Sequence, residues 1–304
     1  MIKANETFDG TWPHEPHFCS AAGFKQHYVD EGQGEPVILL HGQPTWGYIY
    51  RNFIEPLAQT NRVIVPDHMG FGKSETPQDR IYTLRTHVEN MAALIEDLNL
   101  NDITLVMQDW GGPIGYGYAV RNPDRIKRMV VMNTYAGYGA AGQEGLPDPN
   151  KTQWFSWINK SMSTGQYEEV LRNLDVNILS VLHLIGLDNF SGVNDTFIKA
   201  YAAPFATPSE CKGAIEFPLD VHLHRIRDYV KQGFEGIPAI AEKQAVMIEG
   251  MKDRAIPAEL AIADFKGIWP DAPVHKLPHA GHYCQEDATD EIVELIKEFL
   301  QTNG

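Results

Sequence analysis

An α/β architecture, with a mainly parallel sheet covered by helices on both faces and broken once by a helical insertion, is predicted by three features. Short, uniformly apolar runs such as Val37-Ile-Leu-Leu40, Ile103 to Met107 and Met129-Val-Val-Met132 read as strands buried on both faces. Amphipathic segments alternate with them. After Asn133 the alternation stops, and it resumes only near Gly236-Ile-Pro238. Strand–helix alternation of this kind yields parallel pairing through helical crossovers.

In chain order, Cys19 to Ala22 and Lys25 to Asp30 flank Gly23 as a short hairpin, closed by the turn Glu31-Gly-Gln-Gly-Glu35. Val37 to Leu40 is a strand ended by His41-Gly42, Tyr48 to Ala58 a helix, and Val63-Ile-Val65 the next strand, followed by Pro66-Asp67 and the loop Gly70-Phe-Gly72. From Thr83 to Leu98, Val88, Met91, Ala92 and Ile95 form one buried face of a helix. Ile103 to Met107 runs into the tight turn Gln108-Asp-Trp-Gly-Gly112, and Pro113 to Val120 reads as a helix. Met129 to Met132 is a strand ended by Asn133. Gly137 to Pro149 is rich in Gly and Pro, and the pattern to about Gly233 is helical without a clear strand. Ala245 to Ile248 is then a strand leading to Gly250-Met-Lys-Asp253, Pro257 to Ile268 a helix, and Val274 to Leu277 a strand leading to His279-Ala-Gly-His282. The closing helix carries Ile292, Leu295, Ile296 and Phe299 at helical spacing. The expected organisation is a main domain over 1–134 and 236–304, with a helical cap over 135–235.

Bulk properties narrow the function. A chain of 304 residues, 43% hydrophobic and 21% charged, can bury a large core. Its net charge of −15 would repel polyphosphate, which argues against nucleic acid or an anionic membrane surface as partner. Three widely spaced cysteines, Cys19, Cys211 and Cys284, form neither a disulfide framework nor a metal-ligand spacing. The N-terminus lacks the apolar core of a signal peptide, and no run is long enough to span a bilayer. A soluble, cytoplasmic protein is expected.

The strand–turn–helix at Asp109 has the form of a nucleophile elbow, with one polar residue at its apex. In an open parallel sheet, functional groups collect beyond the carboxyl ends of the strands. Four such ends carry suggestive residues: His41-Gly-Gln43, Asp109-Trp110, Asp253 and His282. Nucleophile, then acid, then histidine is the order of the α/β-hydrolase triad. The fold class expected is therefore the α/β-hydrolase fold.

An aspartate at the apex, where esterases have serine, changes the chemistry. Serine attacking an sp3 carbon would give an ether that water and a histidine cannot cleave, whereas aspartate gives an ester that they can. A carboxylate also needs no base to activate it, since an unperturbed aspartate has a pKa of about 3.9. The histidine is left free to deprotonate water in the second half. The implied reaction is displacement at saturated carbon, then hydrolysis of an alkyl-enzyme ester. With an unshifted histidine pKa of about 6.5, activity is expected to fall below that pH. The indole N–H of Trp110, a donor only, suits a departing halide better than an alkoxide.

Several blocks together, namely His41-Gly-Gln-Pro-Thr-Trp46 with Arg51-Asn52, Gly70-Phe-Gly-Lys-Ser74, Gln108-Asp-Trp-Gly-Gly112, Gly250-Met-Lys-Asp253 and Gly281-His-Tyr-Cys-Gln-Glu-Asp287, resemble a haloalkane dehalogenase. The likeness runs from about Val29 to the last helix and thins in the cap, where Tyr201-Ala-Ala-Pro-Phe205 is the best island. It implies Asp109 as nucleophile, His282 as base and Asp253 as the orienting acid. Some members carry the acid as a glutamate at the place of Asn133, whose amide bears no charge, so the chain resembles the branch with an aspartate acid. Halide binding is implied for Trp110 and for a cap tryptophan, with Trp157 expected ahead of Trp154. Gln43 stands where other members place an asparagine donor, and its longer amide either reaches the halide or is displaced from it. Backbone N–H groups of Gln43 and Trp110 are expected to form the oxyanion hole. The implied partners are a small halogenated aliphatic substrate, water and the halide product, and nothing calls for a metal or an organic cofactor.

Two other readings stay open. An epoxide hydrolase would share the triad and require cap tyrosines over Asp109, for which Tyr167 and Tyr201 are candidates. A ligand-binding protein on a hydrolase scaffold would keep the fold with little chemistry.

Overall fold

The computed structural model describes residues 2–140 and 144–302. Eight strands form one sheet: β1 (His17–Cys19), β2 (Gln26–Gly32), β3 (Pro36–Leu40), β4 (Arg62–Pro66), β5 (Ile103–Gln108), β6 (Ile126–Met132), β7 (Gln244–Gly250) and β8 (Val274–Leu277). Their order across the sheet is β1-β2-β4-β3-β5-β6-β7-β8, antiparallel for the first two pairings and parallel from β4 to β8. The central strands bury nearly every side chain, which explains their continuous rather than alternating hydrophobicity.

Outside the insertion, the sheet is covered by α1 (Arg51–Ala58), α2 (Leu84–Asp97) and α3 (Gly111–Ala119), then by three helices after the insertion. Helix α2 is capped by Thr83, whose hydroxyl accepts from the Thr86 N–H. Between β6 and β7 the described residues contain helices and no strand: α4 (Gln153–Thr164), α5 (Gln166–Leu171), α6 (Leu174–Ile185), α7 (Asp195–Ala202), α8 (Lys212–His222), α9 (Ile226–Gln232) and α10 (Ile237–Ala241). After β7 come α11 (Ala258–Ile268), α12 (Cys284–Asp287) and α13 (Thr289–Gln301). The inserted helices α4 to α9 are called the cap; in α10 the Ile240 carbonyl accepts from the Trp269 indole beside α11.

Two local expectations change. The first strand ends at Cys19, and 20–23 is a turn closed by Gly23 N–H to the Ser20 carbonyl. Strand β2 instead runs on to Gly32, because it pairs with β4 along its length, where Asp30 takes a two-pronged ion pair from Arg62. The expected helix from Tyr48 opens as a 3₁₀ turn over Gly47–Tyr50, held by Gly47 N–H to Asp67 Oδ1 at 2.8 Å, and α1 starts at Arg51.

Candidate active site

Strand β5 delivers Asp109 into a turn with φ +48°, a region an aspartate enters at a cost unless its surroundings hold it there. Here they do. The Asp109 N–H donates to the Asn133 carbonyl at 3.2 Å, and the Thr134 hydroxyl donates to the Asp109 carbonyl at 2.6 Å. The turn is also tight enough to forbid side chains around it. A Cβ at Gly42 would collide with the Asp109 carboxylate, one at Gly111 with the Leu40 carbonyl, and one at Gly112 with Thr134.

Asp109 Oδ1 accepts the Gln43 backbone N–H at 2.7 Å, and Oδ2 lies 3.3 Å from His282 Nε2. The other ring nitrogen, Nδ1, is 2.8 Å from Asp253 Oδ2. Asp253 is fixed in turn: Oδ1 accepts the N–H groups of Ala255 and Ile256 at 2.7 and 2.9 Å, and Oδ2 accepts the Asn133 amide at 3.0 Å. The three residues named from the sequence as nucleophile, acid and base are thus in one hydrogen-bonded chain, 29 positions separating the last two and far more the first.

Burial opposes protonation of His282. The Asp253 charge and the hydrogen bonds to Asp109 and Asp253 outweigh it, so the imidazole pKa is pushed up to about 10. The ring lies between two carboxylates, an arrangement that favours its charged form in the resting site. The expected fall of activity near pH 6.5 assumed an isolated imidazole, whereas this one has a carboxylate at each nitrogen.

Above Asp109 lies an apolar cavity of about 490 Å³, lined by Trp110, Pro113, Trp154, Phe155, Pro218 and Val221 among others. Trp154, not Trp157, is the cap tryptophan in its wall. The expectation for Trp157 is therefore corrected: its ring stacks behind Trp154 at 5.1 Å between centroids and leans on Tyr167. Three positions apart on α4, the two indoles differ in which one the helix turns inward. The Trp110 ring lies flat on Phe217 of α8, 4.3 Å away. The Gln43 side chain is buried and its amide donates to the Ala214 carbonyl in α8 at 3.2 Å, so its role is to tie the loop after β3 to the cap. The Trp110 amide, the other expected oxyanion donor, directly follows the apex where α3 begins.

The cap tyrosines invoked for epoxide chemistry do not line the cavity. The Tyr167 hydroxyl donates to the Ile215 carbonyl at 2.7 Å and the Tyr201 hydroxyl to Glu286. Glu286 is at the same time held by both arms of Arg51.

Other residues fall into structural places. Asp67 accepts from Gly47, Lys73 and His27, and the Lys73 ammonium binds the Ala4 and Glu6 carbonyls. His279 is exposed beside Glu291, and His222 meets Asn159. Burial pushes the Cys284 thiol well above its ordinary pKa, away from nucleophilic use.

Three features were missed by sequence reasoning. Glu249, fully buried at the end of β7, accepts the Asn133 N–H at 3.1 Å. Burial, and then the Asp253 charge, raise the pKa of its carboxyl well above the usual range. Its signal was a lone charge closing the apolar run Ala245-Val-Met-Ile-Glu249. The second is a cap loop docked on the triad. The His282 N–H donates to the Gly186 carbonyl at 3.1 Å, Arg254 pairs with Asp188 at 2.5 Å, and Asp287 accepts the Gly281 and Asn189 N–H groups. Gly186, at φ +152°, has room for no side chain, since a Cβ would stand 2.6 Å from that of His282. The third is a basic edge to the cavity, formed by His224, Arg227 and Lys231.

A family model for the α/β hydrolase fold matches residues 35–289. The chain belongs to the α/β-hydrolase family, in the group of the haloalkane dehalogenases. It is 35% identical over 298 residues to a cis-3-alkyl-4-alkyloxetan-2-one decarboxylase of Shewanella oneidensis, covering 96% of this chain and 90% of that protein. It is 33% identical to a haloalkane dehalogenase of Mycolicibacterium paratuberculosis, over 91% of this chain and 88% of that one. The tetrameric haloalkane dehalogenase of Paraglaciecola agarilytica superposes with a TM-score of 0.79 at 30% identity, covering 99% of this chain and 100% of the other. No helix among the described residues is long and apolar enough to cross a membrane.

Proposed function

We propose that this protein hydrolyses haloalkanes to an alcohol and a halide ion. The observation that carries the proposal is a carboxylate at the floor of an apolar cavity, backed by a histidine–carboxylate pair, with the two indoles of Trp110 and Trp154 in its walls.

In the first half, Asp109 Oδ2 attacks the halogen-bearing carbon and the carbon–halogen bond breaks with its electron pair. The halide leaves toward the indole N–H groups of Trp110 and Trp154, neutral donors suited to a weakly hydrated anion. In the second half, the ester carbonyl oxygen is Asp109 Oδ1, already within 2.7 Å of the Gln43 N–H. Alkylation removes the Asp109 charge and an acceptor from His282. Two of the supports for the ring proton vanish, the pKa falls, and the imidazole becomes the base that deprotonates water. Asp253 stabilises the charge that returns to the ring. Water, its proton passed to His282, adds to the ester carbonyl, and the oxyanion is held by the Gln43 and Trp110 amides. Collapse breaks the bond to the alkoxide, which takes the ring proton and leaves as the alcohol, while the regenerated Asp109 carboxyl returns its proton to the ring.

The test is bromide release from 1-bromobutane and 1,2-dibromoethane, with Asp109→Ala and His282→Gln beside the wild type. Release should vanish in the first variant. In the second, intact-protein mass should rise by one alkyl group located on Asp109. A folded wild type that releases no bromide, or a His282→Gln protein that never gains mass, would overturn the proposal.

A second reading is favoured by the size of the cavity, about 490 Å³, which is more than a small haloalkane requires. The Shewanella oneidensis relative is named for a four-membered lactone bearing two alkyl groups. Asp109 attack on the ring carbon bonded to oxygen would open such a lactone and free its carboxylate. Loss of CO2, with departure of the Asp109 oxygen, would then give an alkene without water. Alkene and CO2 from a cis-3,4-dialkyl oxetan-2-one, in the absence of halide release from bromoalkanes, would favour it.

A further inference from the structure

The cavity has one acid in its lining, Asp109, and three basic residues, His224, Arg227 and Lys231. All three are exposed at their outer ends, on the segment that joins α8 to α9 and along α9. In a chain of net charge −15 this is a local reversal of sign in the lining of the cavity that holds the nucleophile. Helix α9 also sorts its charges. Arg227 and Lys231, four apart, turn to the cavity with Val230, while Asp228 and Gln232 face a separate groove beside Arg225, Asp220 and Arg85. Among the described residues neither Arg227 nor Lys231 is in an ion pair, whereas the neighbouring Arg225 is paired with Glu216 and Asp220. The cations at the cavity edge are therefore uncommitted, and what they face is an apolar channel ending at a carboxylate.

A ligand that matches this arrangement has three parts in order: a reactive carbon at the inner end, an apolar chain, and an anion at the outer end. We propose that the preferred substrate is an amphiphile with a terminal carboxylate, of the ω-haloalkanoate type, whose carboxylate is held by Arg227 and Lys231 with His224 at the edge. This rests on the proposed reaction and assigns its substrate class. The cations offset the repulsion that an acidic protein presents to an anion and raise the encounter rate at low salt. Between the two ends the walls of Phe155, Val221, Val230 and Phe234 take the methylenes.

The experiment compares ω-bromoalkanoates from bromobutanoate to bromododecanoate with 1-bromoalkanes and ω-bromoalkyl trimethylammonium ions of matched length. Wild type and the Arg227→Gln/Lys231→Gln double variant are assayed at low and high salt. The carboxylate should exceed its neutral counterpart in kcat/KM by about tenfold at low salt, as two partly exposed charge pairs allow, mostly through KM. That ratio should shrink with salt and fall toward one in the double variant. Equal kcat/KM for matched substrates would overturn the proposal. So would an unchanged ratio in the variant, or a fall in kcat for all three series alike, which would assign the cations to halide exit. If no bromide is released from any compound, the proposed reaction has failed, and the substrate class is judged by dodecanoate binding, followed by quenching of tryptophan fluorescence. Binding weakened about tenfold in the double variant supports the anion site, and equal binding overturns it.

Discussion

The floor and the roof of the cavity are built on different principles. The floor belongs to the sheet: Asp109, His282 and Asp253 sit at strand ends, and the polar groups that orient them come largely from the backbone, at Gln43, Ala255, Ile256 and Gly186. Glycines at 42, 111, 112 and 186 let main chains approach to distances a side chain would forbid. The roof belongs to short helices, α4, α8 and α9, and meets the cavity with side chains: Trp154, Phe155, Pro218, Val221 and Val230. A floor made of backbone geometry can hold a reaction coordinate to fractions of an ångström, while a roof of apolar side chains can change shape without disturbing it. Chemistry and selectivity are thereby separated in space.

The sharpest way to break this comparison is to change one small side chain on each side. Gly42→Ala should displace the Asp109 carboxylate and lower kcat/KM by about a hundredfold or more on every substrate. Val230→Ala should shift the preferred chain length by about tenfold at most and leave the best rate nearly intact. Steady-state kinetics on a homologous bromoalkane series checks both, and equal, substrate-independent losses would show that the roof also sets the chemistry.

A smaller effect separates the two stacked indoles. Trp154→Phe removes an N–H from the cavity wall and should raise the bromide inhibition constant about tenfold, the worth of one hydrogen bond to an ion. Trp157→Phe should leave it within about twofold, since that ring lies behind the wall. The reverse order would give the halide to Trp157 and overturn the assignment of Trp154.

The smallest effect is on stability. The His282 pKa is raised from about 6.5 when unfolded to about 10 when folded, so its contribution is complete below about pH 6.5 and is lost as pH climbs through about 10. The melting temperature should decline from pH 7 to pH 10, and the decline should flatten in His282→Gln. A wild-type slope identical to that of the variant would show that the ring is neutral in the resting site.

Much of the floor was legible in the sequence, because strand ends announce themselves. An apolar run that stops at one polar residue beside glycine, repeated in the order Asp109, Asp253, His282, defines a sheet edge before any coordinates are seen. The roof was not legible to the same degree. Trp154 and Trp157 are three apart on one helix, so either could face inward, and the docking of α4 against α5 and α6 decides it. The Gln43 amide was lost to Ala214, 171 positions away, which no local pattern encodes. The charge on His282 was missed for the same reason: it depends on two carboxylates converging on one ring, a property of the folded arrangement. Arg227 and Lys231 looked like ordinary helix surface until α9 was placed over the cavity.

The docked loop at 183–189 has a consequence for traffic. The cap edge it belongs to shares hydrogen bonds with the histidine itself, through Gly186, and with the neighbour of the triad acid, through Arg254 and Asp188. Lifting that edge would dismantle the catalytic chain each time a molecule entered. Entry and exit are therefore expected away from that edge. A cross-link that pins the loop to the main domain should then leave turnover nearly unchanged, which steady-state kinetics before and after cross-linking checks.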